Sequence, residues 1–175
     1  MALTVTQGAD LSSRNTFGMR VSCRRLVEYD SERELVDFIS SEPEDSLLFH
    51  IGGGSNLLFT KDFPGTILHS VIKFIDILSG EDASAPDLLA APAAGKVCPR
   101  SRNLLEKVRS DISSPAAGEV LLHVGAGVVW DDLCAWCAER GLWGTENLSL
   151  IPGEVGASAV QNVGAYGVEA KDIIA

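Results

Sequence analysis

The residues best suited to chemistry form a short loop that follows an apolar run. Residues 47–51 read Leu-Leu-Phe-His-Ile, which is typical of a buried strand, and residues 52–56 read Gly-Gly-Gly-Ser-Asn. Consecutive backbone N–H groups in such a turn favour the binding of phosphate oxygens. The loop is not a Walker A loop, because no Lys-Ser or Lys-Thr follows it. It is also a poor Rossmann fingerprint, because Leu57 stands where the third glycine belongs.

A second glycine-rich stretch lies about a hundred residues later, at positions 149–167. It is small and apolar, and Glu154 is its only charged side chain. Glycines are tolerated where the backbone turns with positive φ or approaches a ligand closely, so the stretch favours a flat or extended ligand lying against its peptide groups. The alternative, tight turns packed around small residues, stays open at this point.

The two stretches in this order, with Asn-Thr-Phe-Gly at residues 15–18 ahead of them, carry a resemblance. The runs Ile-Gly-Gly-Gly-Ser-Asn-Leu-Leu-Phe at 51–59 and Ile-Pro-Gly-Glu-Val-Gly-Ala-Ser-Ala-Val-Gln-Asn-Val-Gly-Ala-Tyr-Gly at 151–167 resemble the UDP-N-acetylenolpyruvoylglucosamine reductases. These are FAD enzymes of bacterial cell-wall synthesis with a vanillyl-alcohol-oxidase-type (PCMH-type) flavoprotein fold. The resemblance covers residues 15–78 and 119–175.

The resemblance implies FAD as the cofactor and assigns its contacts. Residues 52–56 would hold the pyrophosphate, and residues 151–156 and 157–167 would form walls around the adenosine side and the isoalloxazine ring. Ala157 stands where some members carry a serine near flavin N5, which leaves only a backbone N–H for that contact. The predicted cofactor-binding residues are Gly52, Gly53, Gly54, Ser55, Asn56, Ile151, Pro152, Gly153, Gly156, Ala157, Ser158, Val160, Gln161, Asn162, Gly164, Ala165, Tyr166 and Gly167.

For the complete parent enzyme, the resemblance implies NADPH-dependent reduction of a UDP-sugar, UDP-N-acetylenolpyruvoylglucosamine, to UDP-N-acetylmuramate by a monomeric protein. The family's catalytic serine, arginine and glutamate lie in motifs that this chain lacks, so we assign no catalytic residue and expect the chain alone to be inactive. We also assign no metal site. Two alternatives stay open: another flavoprotein oxidoreductase of the same fold, and a nucleotide-binding module without chemistry.

Composition indicates a cytoplasmic protein that binds neither membrane nor nucleic acid. No apolar run reaches the roughly 18 residues of a membrane span, and the first residues lack the basic region of a signal peptide. The net charge of −10 disfavours nucleic acid and implies that a dinucleotide is held by peptide N–H groups. Without a secretory signal, the four cysteines are expected to be reduced thiols.

The predicted fold is α+β with two α/β lobes, truncated before a C-terminal substrate-binding domain. We expect an N-terminal tail at 1–14, a first lobe at 15–78, a mobile insert rich in Pro and Ala at 79–118 and an incomplete second lobe at 119–175. In the first lobe, a strand at 21–29, a helix capped by Ser31 with Glu34 completing a capping box, and a strand at 47–51 form a βαβ unit. A turn at 62–65 and a strand at 66–78 follow.

The second lobe is predicted to hold a strand at 120–124, a helix at 129–140 and a final strand at 172–175. Trp130, Leu133, Cys134 and Cys137 have the spacing of one buried helix face, so the two cysteines are interpreted as core residues rather than as zinc or redox groups. The three histidines are interpreted as core or strand residues, because none has an evident carboxylate partner in the sequence. A turn or two of helix is expected within residues 103–111.

Overall fold

The computed structural model describes residues 3–79 and 118–174, which belong to two compact units. Of the described residues, 3–74 and 124–174 belong to the first unit, and 75–79 and 118–123 belong to the second. The strands are β1 (Thr4–Asp10), β2 (Ser22–Tyr29), β3 (Leu48–Ile51), β4 (Phe63–Ser70), β5 (Ile75–Ser79), β6 (Leu121–Val124), β7 (Gly164–Ala165) and β8 (Val168–Glu169). The α-helices are α1 (Glu32–Ser41), α2 (Trp130–Glu139) and α3 (Val155–Gln161), and short 3-10 helices span Ser12–Arg14, Glu146–Leu148 and Ala170–Asp172.

A four-stranded sheet in the order β1-β2-β4-β3 forms the centre of the first unit. β1 runs antiparallel to β2, while β2 and β3 each run parallel to β4. The predicted strand, helix and strand of the βαβ unit are present, but β4 lies between β2 and β3. The expected N-terminal tail is also corrected by β1, whose Thr4–Asp10 segment pairs along β2. Only Ala9 of β1 is buried, so this strand has no apolar alternation that would have predicted it.

The turn predicted around Pro64 is wrong, because β4 already begins at Phe63. Cys23 of β2 pairs with Phe63, whereas Arg25 pairs with Thr66, so β4 carries one extra residue in this interval. Such a bulge leaves residues out of the hydrogen-bond ladder, which allows a proline inside a central strand.

Two apolar clusters lie against the sheet. Val27, Tyr29 and Leu68 form one of them, and the partly buried Leu35 and Phe38 of α1 pack on it. The larger cluster contains Ala9, Leu11, Val21, Cys23, Leu26, Ile51, Phe59 and Ile67. The sheet therefore has a core on which the end of β3 is anchored through the buried Ile51.

Helix α1 begins as predicted at Ser31, whose hydroxyl accepts from the Glu34 N–H at 3.4 Å. The second half of the predicted capping box differs. The Glu34 carboxylate accepts from the N–H groups of Asp30 at 3.0 Å and Leu3 at 2.9 Å, and so it ties the start of the helix to the N-terminal segment.

Helix α2 confirms the predicted face, because Trp130, Leu133, Cys134 and Cys137 are its buried residues. The three described cysteines, Cys23 among them, are buried free thiols, and no metal-binding cluster occurs among the residues described. Trp130 and Cys134 belong to a core with Leu148, Val163 and Ala170. Burial raises the pKa of the Cys134 thiol to about 11, as expected for a packed side chain rather than a reactive one.

The predicted final strand is wrong, because Ala170–Asp172 forms a 3-10 helix. Both Ile173 and Ile174 donate their backbone N–H to the Ala170 carbonyl, so this apolar run closes a helical turn. Asn162 accepts from the Lys171 N–H at 3.0 Å, which joins the turn to the end of α3.

In the second unit, β5 and β6 pair as a two-stranded sheet. β6 confirms the strand predicted at 120–124, while the strand predicted at 66–78 is divided between β4 and β5. The predicted insert at 79–118, including the expected helical turn at 103–111, lies almost wholly outside the described residues. No helix in the described ranges is long and apolar enough to cross a membrane.

Candidate functional site

A pocket of about 330 Å³ lies in the first unit, where β3 ends and the loop 52–56 meets the segment 152–161. That volume is at the lower end of the range for small-molecule sites, roughly 300–1,000 Å³. Its lining residues are Phe49, His50, Ile51, Gly52, Gly53, Gly54, Ser55, Asn56, Leu57, Ser70, Ala126, Trp130, Pro152, Gly153, Glu154, Gly156, Ala157, Ser158, Val160, Gln161 and Val163. The two glycine-rich stretches that the sequence singled out therefore share one cavity.

The loop 52–56 is held in place from the segment that carries the Asn-Thr-Phe-Gly motif. Thr16 donates its hydroxyl hydrogen to the Ser55 carbonyl at 2.8 Å. Asn15, which is buried, donates to the Leu11 carbonyl at 2.8 Å and accepts from the Met19 N–H at 2.9 Å. The motif thus helps to hold the loop in place.

Gly54 is required by the chain itself. Its φ is +77°, and a Cβ at this position would lie 1.8 Å from the Arg14 carbonyl oxygen. A side chain at Gly54 would consequently displace the loop before it met any ligand. Gly53 is different, since a Cβ there would find its nearest neighbour, a Glu154 carboxylate oxygen, at 3.6 Å, an ordinary contact distance.

The backbone donors of the loop lack an acceptor within the part of the chain that the structure describes. None of the N–H groups of residues 52–56 donates a hydrogen bond to another described residue. No lysine or arginine lines the pocket, so these N–H groups are its main attraction for an anion. A turn with several free N–H groups is a suitable cradle for phosphate oxygens.

The opposite wall is tied to the loop by direct contacts. The Ser55 hydroxyl donates to the Pro152 carbonyl at 3.2 Å, and the Asn56 side-chain amide donates to the Gln161 side-chain oxygen. Gly52 packs so closely on Ala157 that a Cβ on Gly52 would lie 2.7 Å from the Ala157 Cβ. Part of the glycine content therefore serves packing within the chain, as the alternative interpretation proposed.

Two predicted contacts on this wall have their backbone N–H already engaged. Gly156 donates to the Ala126 carbonyl and Ala157 donates to the Glu154 carbonyl, both at 3.0 Å. The N–H that we expected Ala157 to offer flavin N5 is thus occupied by a bond at the start of α3. Both residues still line the pocket.

The structure brings most of the predicted cofactor contacts together and leaves the others apart. Ile151 packs on the Trp130 core, and Asn162 has a left-handed backbone and donates to the Glu169 carboxylate at 2.9 Å. The hairpin of β7 and β8 contains the remaining ones, with Tyr166 exposed at its turn. The residues placed outside the pocket lining are Ile151, Asn162, Gly164, Ala165, Tyr166 and Gly167.

Sequence reasoning missed a partly buried polar cluster next to the pocket. His69 of β4 has Nε2 at 3.0 Å from Glu154 Oε1 and Nδ1 at 3.3 Å from Glu28 Oε1. Arg14 donates to Glu28 at 2.6 Å and lies 3.0 Å from His69 Nδ1. His69 is a buried strand residue, as predicted, and the structure adds the carboxylate partners that were not evident in the sequence. Only the pairing of β2 with β4, which sets Glu28 opposite His69, could have indicated them.

A second polar pair lies at the end of β3, where the Tyr29 hydroxyl is 2.6 Å from His50 Nε2. Burial raises the pKa of Tyr29 and lowers the pKa of His50, because each site disfavours the charged form. Both effects favour a neutral hydrogen-bonded pair at this side of the pocket.

Comparison with known proteins shows which proteins this chain is similar to. Residues 105–175 match the family described as FAD binding domain. The UDP-N-acetylenolpyruvoylglucosamine reductase of Bacteroides fragilis is 45% identical over 168 residues, which are 96% of this chain and 40% of that protein. The protein of the same name from Pseudomonas aeruginosa is 36% identical over 174 residues, covering 99% of this chain and 41% of its own length.

The fold prediction is confirmed by a solved structure. The crystal structure of UDP-N-acetylenolpyruvylglucosamine reductase from Thermus caldophilus superposes with a TM-score of 0.56 at 19% identity, covering 97% of this chain and 45% of the other. The resemblance found in the motifs is confirmed, and FAD is the cofactor that these relatives and the matched family indicate. The chain spans about 40% of the length of the curated relatives that it matches.

Proposed function

We propose that this chain, which is related over almost its whole length to the UDP-N-acetylenolpyruvoylglucosamine reductases, is the FAD-binding portion of such a reductase. The complete protein would use NADPH to reduce a UDP-sugar that carries an enolpyruvyl group. The product would be UDP-N-acetylmuramate, a precursor of peptidoglycan, so the protein would act in cell-wall synthesis and thereby in cell shape and division. We place it in the cytoplasm, as a monomer without nucleic-acid or membrane partners.

The observation that carries the proposal is the loop 52–56 in the wall of the pocket, whose N–H groups have no partner among the described residues. These donors fit the pyrophosphate of FAD, because they offer several hydrogen bonds to oxyanions without the cost of burying a cation. The apolar side chains nearby, such as Val160 and Ile51, fit a flat ring system. The residues present therefore suit the cofactor that the comparisons indicate.

Bound FAD would supply hydride transfer between NADPH and the enolpyruvyl group. The chain's own contribution is to bind and orient. The loop 52–56 would hold the phosphate groups, and residues 152–161 would restrict water on the opposite side of the pocket. We assign no proton donor within this chain. A group that protonates the substrate and groups that stabilise its developing charge would come from outside it.

The test compares this chain with the complete reading frame that contains it. We expect both to bind FAD, and only the complete protein to oxidise NADPH in response to the enolpyruvyl UDP-sugar. Absorbance of NADPH is followed with and without substrate, under air and under nitrogen. Turnover that needs oxygen rather than the UDP-sugar would indicate a flavoprotein oxidase of the same fold, and FAD binding without turnover by the complete protein would indicate a binding module. Turnover by this chain alone at the complete protein's rate would contradict the assignment of catalysis to other segments.

A further inference from the structure

Glu154 brings a negative charge into the pocket beside the loop expected to hold phosphate. Its side chain is only 13% exposed, and it lines the pocket. The carboxylate lies against the turn at the end of β3, 3.5 Å from the position that a Cβ on Gly52 would take and 3.6 Å from that of a Cβ on Gly53. Because a buried carboxylate is costly unless it is hydrogen-bonded, its contacts show what the site can accept.

One carboxylate oxygen of Glu154 is hydrogen-bonded to a described residue and the other is not. Glu154 Oε1 lies 3.0 Å from His69 Nε2. No hydrogen bond from another described residue reaches Oε2. Glu154 thus offers Oε2 as a hydrogen-bond acceptor at the edge of the cavity, while the hydrogen bond at Oε1 fixes the carboxylate.

His69 can hold Glu154 in this position because its other nitrogen is also engaged. Nδ1 lies 3.0 Å from the Arg14 guanidinium, which donates, and 3.3 Å from the Glu28 carboxylate oxygen, which accepts. At 3.0 Å from a carboxylate oxygen, Nε2 is the donor of its hydrogen bond to Glu154. Glu28 in turn accepts from Arg14 at 2.6 Å and fixes the guanidinium. The cluster of Glu28, Arg14 and His69 therefore ends at the pocket in the hydrogen bond from His69 to Glu154.

We propose that Glu154 is a cofactor-binding residue whose Oε2 accepts a hydrogen bond from a sugar hydroxyl of FAD, and that His69 is the positioning residue that orients it. This inference rests on the proposed function. A carboxylate repels a phosphate oxygen and accepts only from a donor, so its partner is a donor group of FAD and not the pyrophosphate itself. Glu154 lies beside the loop proposed to hold the pyrophosphate, and the donors of FAD next to the pyrophosphate are sugar hydroxyls. FAD has such hydroxyls on the ribityl chain and on the adenosine ribose, on either side of the pyrophosphate.

The test measures dissociation constants of FAD, ADP and FMN for the purified chain by fluorescence. Glu154→Ala should weaken FAD binding about tenfold or more, as expected for loss of a hydrogen bond to a charged group. A loss shared by ADP places the hydroxyl on the adenosine ribose, and a loss shared by FMN places it on the ribityl chain. Glu154→Gln keeps the shape of the side chain and should give an intermediate loss, so it decides the matter if the alanine variant does not fold.

The positioning role of His69 is tested by a pair of variants. His69→Leu removes every hydrogen bond of the ring and should weaken FAD binding about tenfold, whereas His69→Gln keeps an amide donor for Glu154 and should recover most of the affinity. Glu42→Gln is the matched control, because Glu42 is 11% exposed and pairs with Arg25 outside the pocket lining. It should alter stability but leave the FAD constant unchanged.

Two results would overturn the inference while leaving the proposed function intact. One is wild-type FAD affinity in both Glu154 variants. The other is an equal loss in His69→Gln and His69→Leu that follows only their thermal stability. If the unaltered chain does not bind FAD, the proposed function fails, and this inference fails with it.

Discussion

Substitution of Gly54 by alanine should destabilise the fold and not merely the site. The left-handed backbone at φ +77° costs an alanine roughly 1–2 kcal/mol. Its Cβ would lie 1.8 Å from the Arg14 carbonyl oxygen, and relief of this overlap requires movement of backbone, for which overpacking costs of roughly 1–3 kcal/mol are typical. Together these effects amount to about 3 kcal/mol, or roughly a 10 °C fall in Tm for a domain of this size.

Gly53→Ala is the matched control for that prediction. The new Cβ would have only ordinary contacts, the nearest at 3.6 Å from Glu154, so its Tm should stay within about 2 °C of wild type. Thermal unfolding followed by circular dichroism measures both variants. A Gly54→Ala protein that melts together with Gly53→Ala would show that the Arg14 carbonyl does not constrain the loop. Because substitution of Gly54 is expected to disturb the fold, loss of FAD by Gly54 variants is weak evidence about ligand contact. Gly53 is the better position at which to test that contact.

Two further predictions concern groups outside the loop. Hydrogen bonds from Arg25 lower the pKa of Glu42 below 4.5, so the stabilisation of the fold by this pair is complete above that pH and is lost as the pH falls through the lowered pKa. The difference in unfolding free energy between wild type and Glu42→Gln, measured by urea titration, should therefore shrink at low pH. A difference that does not depend on pH would refute the pairing. Burial raises the pKa of Cys134, Cys137 and Cys23, so a thiol reagent at neutral pH should modify them slowly until urea is added. The chain has four cysteines, and rapid modification of more than one of them in the native protein would contradict this packing.

The parts of the fold that sequence predicted well are those with strong local signals. Helix α2 was predicted because four buried residues repeat at helical spacing, and the loop 52–56 because glycines follow an apolar strand. Where local signals are weak, prediction failed. The exposed side chains of β1 give no alternation of apolar and polar residues. The residues around Pro64 resemble a turn, whereas in the structure a bulge in β4 accommodates the proline. Helix α3 was not predicted, because its small residues give little periodicity.

The site was predictable in outline but not in its connections. Both glycine-rich stretches were identified, since their composition is unusual, and the resemblance supplied FAD. Three features of the site join residues that are distant in sequence. They are the hydrogen bond from Thr16 to the loop, the clash that requires Gly54 to be glycine, and the contact of His69 with Glu154. Such contacts follow from strand order and register, which no local pattern specifies.

The most direct test of the central claim observes the N–H groups of residues 52–56 themselves. Amide resonances of the isotope-labelled chain are recorded by NMR with and without FAD, together with their hydrogen-exchange rates. Because these donors have no partner among the described residues, they should shift and become protected from exchange when FAD binds. Amides of β1, which is not part of the pocket, should change little. FAD binding that leaves the loop amides unshifted and unprotected would contradict the assignment of this loop to the cofactor phosphates.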